Sequence, residues 1–188
     1  TEIENSGVYV TPTNYGGEIE KTYQLTIDYE GQTYEAADKM NRVPEIDSLG
    51  YEMYEIEEGE EDSAYYLTFY GQETPGSGDF YMWRSYRNGE LETPLTEVWF
   101  ADDNLVDGSY LEGLPFDNVK YLKGDTALLE MYSISEFTYD FLITLMTETQ
   151  WQGGPFDSPP ANIKTNISNG ALGFFSASAI ESKEVIIE

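Results

Sequence analysis

Alternating apolar and polar residues run through most of the chain and predict antiparallel β-strands. In the stretch TYQLTIDY, apolar side chains recur at every second position from Tyr23 to Tyr29, and Glu30-Gly31 then has the composition of a two-residue hairpin turn. The alternation resumes in SLGYEM, and the apolar stretches AYYLTFYG, LTEVWF and DTALLEMYS are further predicted strands. Many short strands joined by turn signals indicate a mainly β fold, either an antiparallel sandwich or a partly closed barrel.

One strand carries large apolar side chains on both of its faces. Phe80 and Met82 share one face of the stretch FYMWRSY. Tyr81 and Trp83 share the other face, and the hairpin signal Asn88-Gly89 follows. We therefore expect this strand to be central in its sheet and covered on both sides.

A single helix is predicted where the spacing of the apolar residues becomes helical. The predicted helix runs from about Ile134 to Gln150, with an apolar stripe of Phe137, Phe141, Leu142, Leu145 and Met146. Ser133 and Glu136 fit a capping box at its start, and Gly153-Gly154-Pro155 would stop it. We expect the stripe, and Phe141 in particular, to be buried against a sheet.

The chain has one predicted module boundary. Val43 precedes Pro44, so its backbone is biased towards an extended conformation, and Pro44 cannot donate a hydrogen bond to a sheet. The alternation of the preceding hairpin ends here. Residues 1–44 are therefore assigned to one module, and residues 45–188 to the main β domain.

The net charge of the chain limits the kinds of molecule that it can bind. The sequence has 36 Asp plus Glu against 9 Lys plus Arg, a formal net charge of -27. Nucleic acids and anionic membrane surfaces would be repelled. No apolar run approaches the roughly 20 residues of a membrane span. The 16 Tyr, 9 Phe and 3 Trp nevertheless provide enough apolar surface for a folded core, so we expect a folded domain with a negative surface.

The absence of Cys and His limits the chemistry that the chain can perform. Ser-His-Asp and Cys-His nucleophile systems cannot be built within it, and zinc or copper sites that rest on these ligands are excluded. Carboxylate, Lys, Tyr and hard-metal chemistry remain. A hydrolase that uses two carboxylates therefore stays open as an alternative.

The stretch ADDNLVDG is the candidate metal site. Asp102, Asp103 and Asp107 supply the oxygen ligands that calcium prefers. The spacing departs from an EF-hand loop because Leu105 stands where a further oxygen ligand is needed. The alternative is a hairpin turn that uses Asp and Asn for its own backbone, with no cofactor.

Two further groups are candidate ligand contacts. Trp83, Trp99 and Trp151 could form a platform for a sugar ring, although Trp is also a common core anchor. The stretch GGPFDSPPANIKTNISNGALGFF contains Asn162, Asn166 and Asn169, which with Trp151 could contact a ligand or partner. The alternative is an ordered surface loop whose Asn side chains bind its own backbone.

Several stretches in the same order resemble the family known as domain of unknown function 4249. They are YQLTIDYEGQTYEA with VPEIDSL, PGSGDFYMWRSYRNG, DDNLVDG, GDTALLEMYSISEFTYDFL and GGPFDSPPANIKTNISNGALGFFSA. The resemblance runs from about Gly7 to the C-terminus. It implies that the Pro- and Asn-rich loop belongs to the architecture of the fold rather than to a catalytic site.

The resemblance implies a cellular setting but no reaction. Members of this Bacteroidota family look like lipid-anchored outer-membrane proteins that face outward, often encoded beside TonB-dependent transporters. They usually begin with a lipobox Cys and an additional N-terminal β module. We therefore expect an N-terminally truncated chain that lacks its lipid anchor, with residues 1–44 as the end of an immunoglobulin- or transthyretin-like β-sandwich module.

The leading functional expectation is a non-enzymatic cell-surface component. It would bind or assist an outer-membrane assembly of the TonB-dependent transporter type, and its partner would be the transporter or another surface protein. A stand-alone module that binds a glycan or peptide is the first alternative, and the carboxylate hydrolase is the second.

Overall fold

A computed structural model describes residues 2–3, 6–13, 15–54, 64–149 and 163–188. Within these residues the elements are β1 (Thr22–Tyr29), β2 (Gln32–Lys39), β3 (Ser48–Met53), β4 (Tyr65–Gln72), β5 (Phe80–Arg87), β6 (Glu90–Leu91), β7 (Trp99–Asp102), β8 (Tyr110–Tyr121), β9 (Thr126–Ile134), α1 (Glu136–Thr149) and β10 (Ile180–Ile186). The predicted mainly β fold with one helix near the C-terminus is confirmed.

The strands form three antiparallel sheets. β1 and β2 pair as a hairpin, β3-β4-β8 form a second sheet, and β10-β9-β5 form a third in which β6 and β7 both pair with β5. Glu30 and Gly31 have φ of 50° and 78°, and Asn88 and Gly89 have φ of 52° and 84°. Positive φ at both central residues is the geometry of a type I′ turn, so both predicted hairpins are confirmed.

The main core lies between the second and third sheets. Leu67, Phe69 and Phe116 of one sheet pack with Trp83 and Met131 of the other, and all five are buried. The ring centroids of Trp83 and Phe116 lie 5.5 Å apart. The two sheets bury their facing sides against each other, and in the described residues they do not close into a barrel. Of the two predicted alternatives, the fold is therefore the sandwich.

The helix covers the outer face of the third sheet. Leu142 is 1 % exposed and packs with Met82, Val98 and Ile134, so β5 is covered on both sides as predicted. Phe141 is only half-buried and stacks on Phe174 with ring centroids 4.2 Å apart. The expectation of full burial therefore holds for Leu142 rather than for Phe141.

The start of the helix differs from the predicted capping box. The N–H of Thr138 donates to Ser135 Oγ over 3.2 Å, which makes Ser135 the N-cap. Ser133 still belongs to β9, where its hydroxyl donates to the carbonyl of Asn41 and accepts from the N–H of Ala179. The capping prediction was wrong by two residues, because the Ser133 side chain instead connects the end of β9 to the backbone of Asn41 and Ala179.

The first hairpin contacts the C-terminal part of the chain. The N–H of Glu35 donates to Ser168 Oγ over 2.8 Å, and the N–H of Ala177 donates to Asp38 over 2.9 Å. The boundary after residue 44 and the module to which residues 1–44 belong stay predictions. The described residues contain no helix that is long and apolar enough to span a membrane.

Candidate functional site

A cavity of about 380 Å³ opens at one end of the sandwich, between the two large sheets. Its walls come from residues of both sheets and of α1, and the turn after β7 contributes Leu105 and Val106. Most of the lining residues are apolar or aromatic, among them Phe69, Tyr81, Trp83, Leu111, Met131 and Tyr139. The volume lies in the range of pockets that bind small molecules.

Trp83, one of the lining residues, carries a buried hydrogen-bond donor without a partner among the described residues. The residue is 7 % exposed, and its ring packs against Tyr81 and Phe116 at centroid distances of 6.0 and 5.5 Å. Its Nε1 is buried and has no hydrogen-bond partner among the described residues. A buried donor without a partner costs about 1–3 kcal/mol, so such groups are rare in native structures.

Glu73 joins the cavity wall to the neighbouring turn. The residue is 2 % exposed, and Oε1 accepts the hydroxyl of Tyr81 over 2.9 Å. Oε2 accepts the N–H of Gly108 over 2.5 Å. Burial, followed by the hydrogen bond to Glu73, raises the pKa of the Tyr81 hydroxyl far above its usual value. Tyr81 therefore stays protonated and donates to the carboxylate.

Two more carboxylates extend this arrangement. Oxygens of Glu73, Asp79 and Asp103 lie within 4.8 Å of one another. Asp103 is 1 % exposed and accepts the N–H of Gly78 over 3.0 Å. Asp79 accepts Arg42 Nη2 and Nε over 2.6 and 2.9 Å, and this hydrogen bond raises the pKa of the guanidinium. We call Arg42, Glu73, Asp79 and Asp103 the carboxylate brace.

The brace holds the turns at the cavity rim in position. Arg42 Nη2 also donates to the carbonyls of Thr74, Pro75 and Gly76 over 3.3, 3.1 and 2.8 Å. Gly76 has φ of 118°, and a Cβ there would lie 3.2 Å from Arg42 Nη2, so glycine permits this close approach. Each brace carboxylate has a partner within the chain, and the observed contacts account for the cluster as a structural element.

The residues predicted to bind calcium do not converge on one point. Asp102 accepts the N–H of Asn104 over 3.1 Å, and Asp107 accepts the N–H of Gly76 over 2.7 Å. Asp103 instead joins the brace. All three carboxylates therefore bind backbone N–H groups of turns, and the calcium site at Asp102, Asp103 and Asp107 stays a prediction.

The predicted partner contacts lie elsewhere on the molecule. Asn166 bridges to Phe175, donating to its carbonyl over 2.6 Å and accepting its N–H over 2.9 Å. Asn169 has φ of 58° and donates to the carbonyl of Thr33 over 2.7 Å. Both side chains thus bind the backbone, as the loop alternative describes. Asn162 and Trp151 lie outside the described residues, and a contact with a partner stays a prediction.

The predicted Trp platform and the observed cavity share one residue. Trp83 is buried in the core, and Trp99 packs on Phe116 at 5.1 Å between centroids. Sequence reasoning missed Glu73 and Asp79, which flank the turn cluster TPGSG. An acidic residue on each side of a glycine-rich turn was the available signal, but it is common in a chain with 36 acids.

The charges around the cavity are mostly negative. Glu73 and Asp102 line it, and carboxylate oxygens of Asp79 and Asp103 lie within 4.8 Å of Glu73. Arg42 forms an ion pair with Asp79 of this group over 2.6 Å. The cavity therefore combines an apolar interior with a negatively charged surround.

A comparison with protein families gives one match. The model described as "Domain of unknown function (DUF4249)" matches residues 1–184. No curated protein and no solved structure matches the chain.

Proposed function

Since this chain belongs to the DUF4249 family, we propose that it is a non-enzymatic ligand-binding domain whose site is the cavity at the end of the sandwich. The domain belongs to a lipid-anchored protein on the outer surface of a Bacteroidota outer membrane. There it acts as an accessory component of a transporter assembly of the TonB-dependent type.

The observation that carries the binding proposal is the cavity itself. Ligand sites are concave, largely apolar and bounded by a few polar groups, and a volume of about 380 Å³ at the open end of a rigid sandwich has these features. Its walls include residues of β4, β5, β8 and β9, which the two hydrogen-bonded sheets hold in place, together with residues of β7 and α1.

The bonding of the nearby carboxylates supports binding over hydrolysis. A carboxylate hydrolase needs one carboxyl group to move a proton and a second to attack or to activate water. Both oxygens of Glu73 accept hydrogen bonds within the protein, and Asp79 is held by Arg42. Asp102, the other acid that lines the cavity, accepts the N–H of Asn104. These acids therefore hold turns together around the proposed binding site.

Binding can be tested with an uncharged fluorescent probe, N-phenyl-naphthylamine. We expect one saturable site in the wild-type protein. Leu114→Phe, which adds bulk to the cavity wall, should weaken the binding, and Leu91→Phe, at a position 45 % exposed on β6, should not. Absence of saturable binding, or equal effects of the two substitutions, would contradict the proposed site.

The assembly needs a separate experiment. The full-length protein is isolated from native outer membranes under mild conditions, and the co-purifying proteins are identified. We expect a TonB-dependent transporter in stoichiometric amount. Recovery of the protein alone, with the transporter left in other fractions, would refute this part of the proposal and leave the cavity proposal standing.

A further inference from the structure

We infer that the ligand of the cavity is a small molecule with a protonated amine on an apolar body of about two rings, and that the amine binds the carboxylate of Asp102. The inference rests on the proposed function, because it assigns a chemical class to the ligand of the same site. It is carried by the Asp102 carboxylate on the cavity wall, by the aromatic lining, and by the lack of Lys and Arg among the described residues that line the cavity.

The Asp102 carboxylate has capacity for a further donor. Its Oδ1 accepts the N–H of Asn104 over 3.1 Å, and the hydroxyl of Tyr139, another lining residue, lies 3.4 Å from Oδ2. That separation exceeds the usual range of about 2.5–3.0 Å between hydrogen-bonded oxygens, and an ionised carboxylate has sites for about four donors. Asp102 is half-buried and forms no ion pair within the described part of the chain. An ammonium group in the cavity can therefore take Oδ2 as its acceptor.

Glu73, the other lining carboxylate, favours a cation without binding it directly. Both of its oxygens already accept hydrogen bonds within the protein. Oxygens of Asp79 and Asp103 lie within 4.8 Å of it, and against these three carboxylates Arg42 supplies one guanidinium, which is bound to Asp79. The excess of negative charge beside the cavity attracts a cation and repels an anion.

A cation also fits the cavity better than a neutral molecule does. A neutral ligand that fills the cavity removes water from the Asp102 carboxylate and leaves its charge without a counterion, which is unfavourable. An ammonium group replaces that water with a charge-assisted hydrogen bond, the stronger class of hydrogen bond in proteins. Since Asp102 is half-buried, the pair is desolvated only in part. The ring of Tyr139 beside this carboxylate offers the cation an aromatic surface as well.

The size of the apolar body follows from the volume and the remaining walls. An engineered protein cavity of about 150 Å³ binds benzene. The cavity here has about 380 Å³, and the rings of Phe69, Tyr81 and Phe100 are among its lining residues. It therefore has room for a body of about two rings in contact with aromatic side chains.

Three probes with the same naphthalene ring system test the charge of the ligand at neutral pH. They are naphthylmethylamine, which is protonated, naphthylmethanol, which is neutral, and naphthylacetate, which is an anion. Salt at about 0.15 M screens the long-range attraction of any cation to a chain of charge -27. We expect the ammonium probe to bind at least about tenfold more tightly than the alcohol, as for one charged hydrogen bond, and the anion to bind more weakly than the alcohol.

Asp102→Asn identifies the partner of the amine, because it removes the charge and keeps a side-chain oxygen for the N–H of Asn104. We expect the ratio of the ammonium and alcohol affinities to fall below about threefold, while the alcohol affinity itself falls by no more than about twofold. Asp117→Asn is the matched control. It removes one charge at an exposed position of β8 that is not among the residues lining the cavity, so the ratio should stay within about twofold of the wild-type value.

A wild-type measurement keeps the test valid if Asp102→Asn fails to fold. In NMR spectra of the complex with naphthylmethylamine, the methylene group beside the ammonium should show nuclear Overhauser effects to the β-protons of Asp102 and to the ring protons of Tyr139, because the two side chains are adjacent. Effects from the naphthalene ring to other lining side chains, without any from the methylene group to Asp102 or Tyr139, would refute the inference.

The outcomes separate the two proposals. If neither the three probes nor N-phenyl-naphthylamine bind, the cavity is not a ligand site, and the proposed function falls together with the inference. If the alcohol binds and Leu114→Phe weakens it, but the ammonium probe binds no more tightly, only the ligand class is wrong. Equal losses of the ratio in Asp102→Asn and Asp117→Asn lead to the same conclusion. A preference for the ammonium probe that depends on Asp102 and not on Asp117 supports both proposals.

Discussion

Replacement of Leu142 by Ala tests whether the helix is held to the sandwich by one buried side chain. Leu142 is 1 % exposed in a cluster with Met82, Val98 and Ile134 on the outer face of the third sheet. It and Thr138 are the buried residues of the helix. If the helix is attached mainly through this cluster, truncation at position 142 should destabilise the whole domain.

The expected magnitude follows from the atoms removed. Leu→Ala deletes three carbons, and each buried carbon contributes about 0.8 kcal/mol of transfer free energy, or about 2.4 kcal/mol in total. The cavity left behind adds to this, while the better helix propensity of Ala subtracts only a few tenths. We therefore expect the free energy of unfolding to fall by about 3 kcal/mol.

Urea unfolding, followed by tryptophan fluorescence, measures this loss as a lower midpoint at an unchanged slope. Ile143→Ala is the matched control, because the neighbouring side chain is 43 % exposed on the same helix. It should cost less than about 1 kcal/mol. Similar losses at the two positions, or a loss at Leu142 below about 1 kcal/mol, would refute the packing model.

Three further outcomes are expected. Added salt should raise the melting temperature, because a net charge of -27 destabilises the fold through self-repulsion, and salt at about 0.1–0.15 M screens charges separated by more than about 8–10 Å. A flat melting temperature would show that the charges are already compensated. Arg42→Lys should cost about 1–2 kcal/mol in urea, because an ammonium group cannot reproduce the fork on Asp79 and its contacts with backbone carbonyls; unchanged stability would contradict the brace. The hydrogen bond from the N–H of Leu122, and then that from the Asn88 side chain, lower the pKa of Asp125. The carboxylate therefore stabilises the fold above the unfolded pKa, and this contribution is lost as the pH falls through the lowered native pKa. Asp125→Asn should reduce the urea midpoint at neutral pH, and the difference from the wild type should shrink in acid.

Local signals predicted the parts of the fold that local chemistry determines. Glu30-Gly31 and Asn88-Gly89 marked type I′ turns because few other residue pairs accept positive φ at both positions. The two-faced apolar pattern of β5 located the central strand, since only a covered strand can bury both sides. These features depend on residues that are neighbours in the sequence, so they can be predicted from one sequence alone.

Other elements depend on distant residues and escaped prediction. β8 runs from Tyr110 to Tyr121, yet Gly113 and Pro115 interrupt its pattern, and its pairing with β4 is irregular near Leu67 and Phe69. The bounds of β8 are set by its hydrogen bonds to β4 rather than by the local sequence pattern. Similarly, the side chain of Ser133 is used by the backbone of Ala179, 46 residues away, so the helix takes its cap from Ser135 instead.

The acidic stretch ADDNLVDG shows why the candidate site was only partly predictable. Its Asp residues suggested calcium because they are close in sequence, but Asp103 and Asp107 bind the N–H groups of Gly78 and Gly76 in another turn. Carboxylates that hold backbone N–H groups join two turns. Leu105, in the same stretch, is 97 % exposed yet borders the cavity. The brace and the cavity are thus one structure, because acids of this stretch lie at the edge of an apolar site. A substitution that alters the brace should therefore change ligand affinity without contacting the ligand.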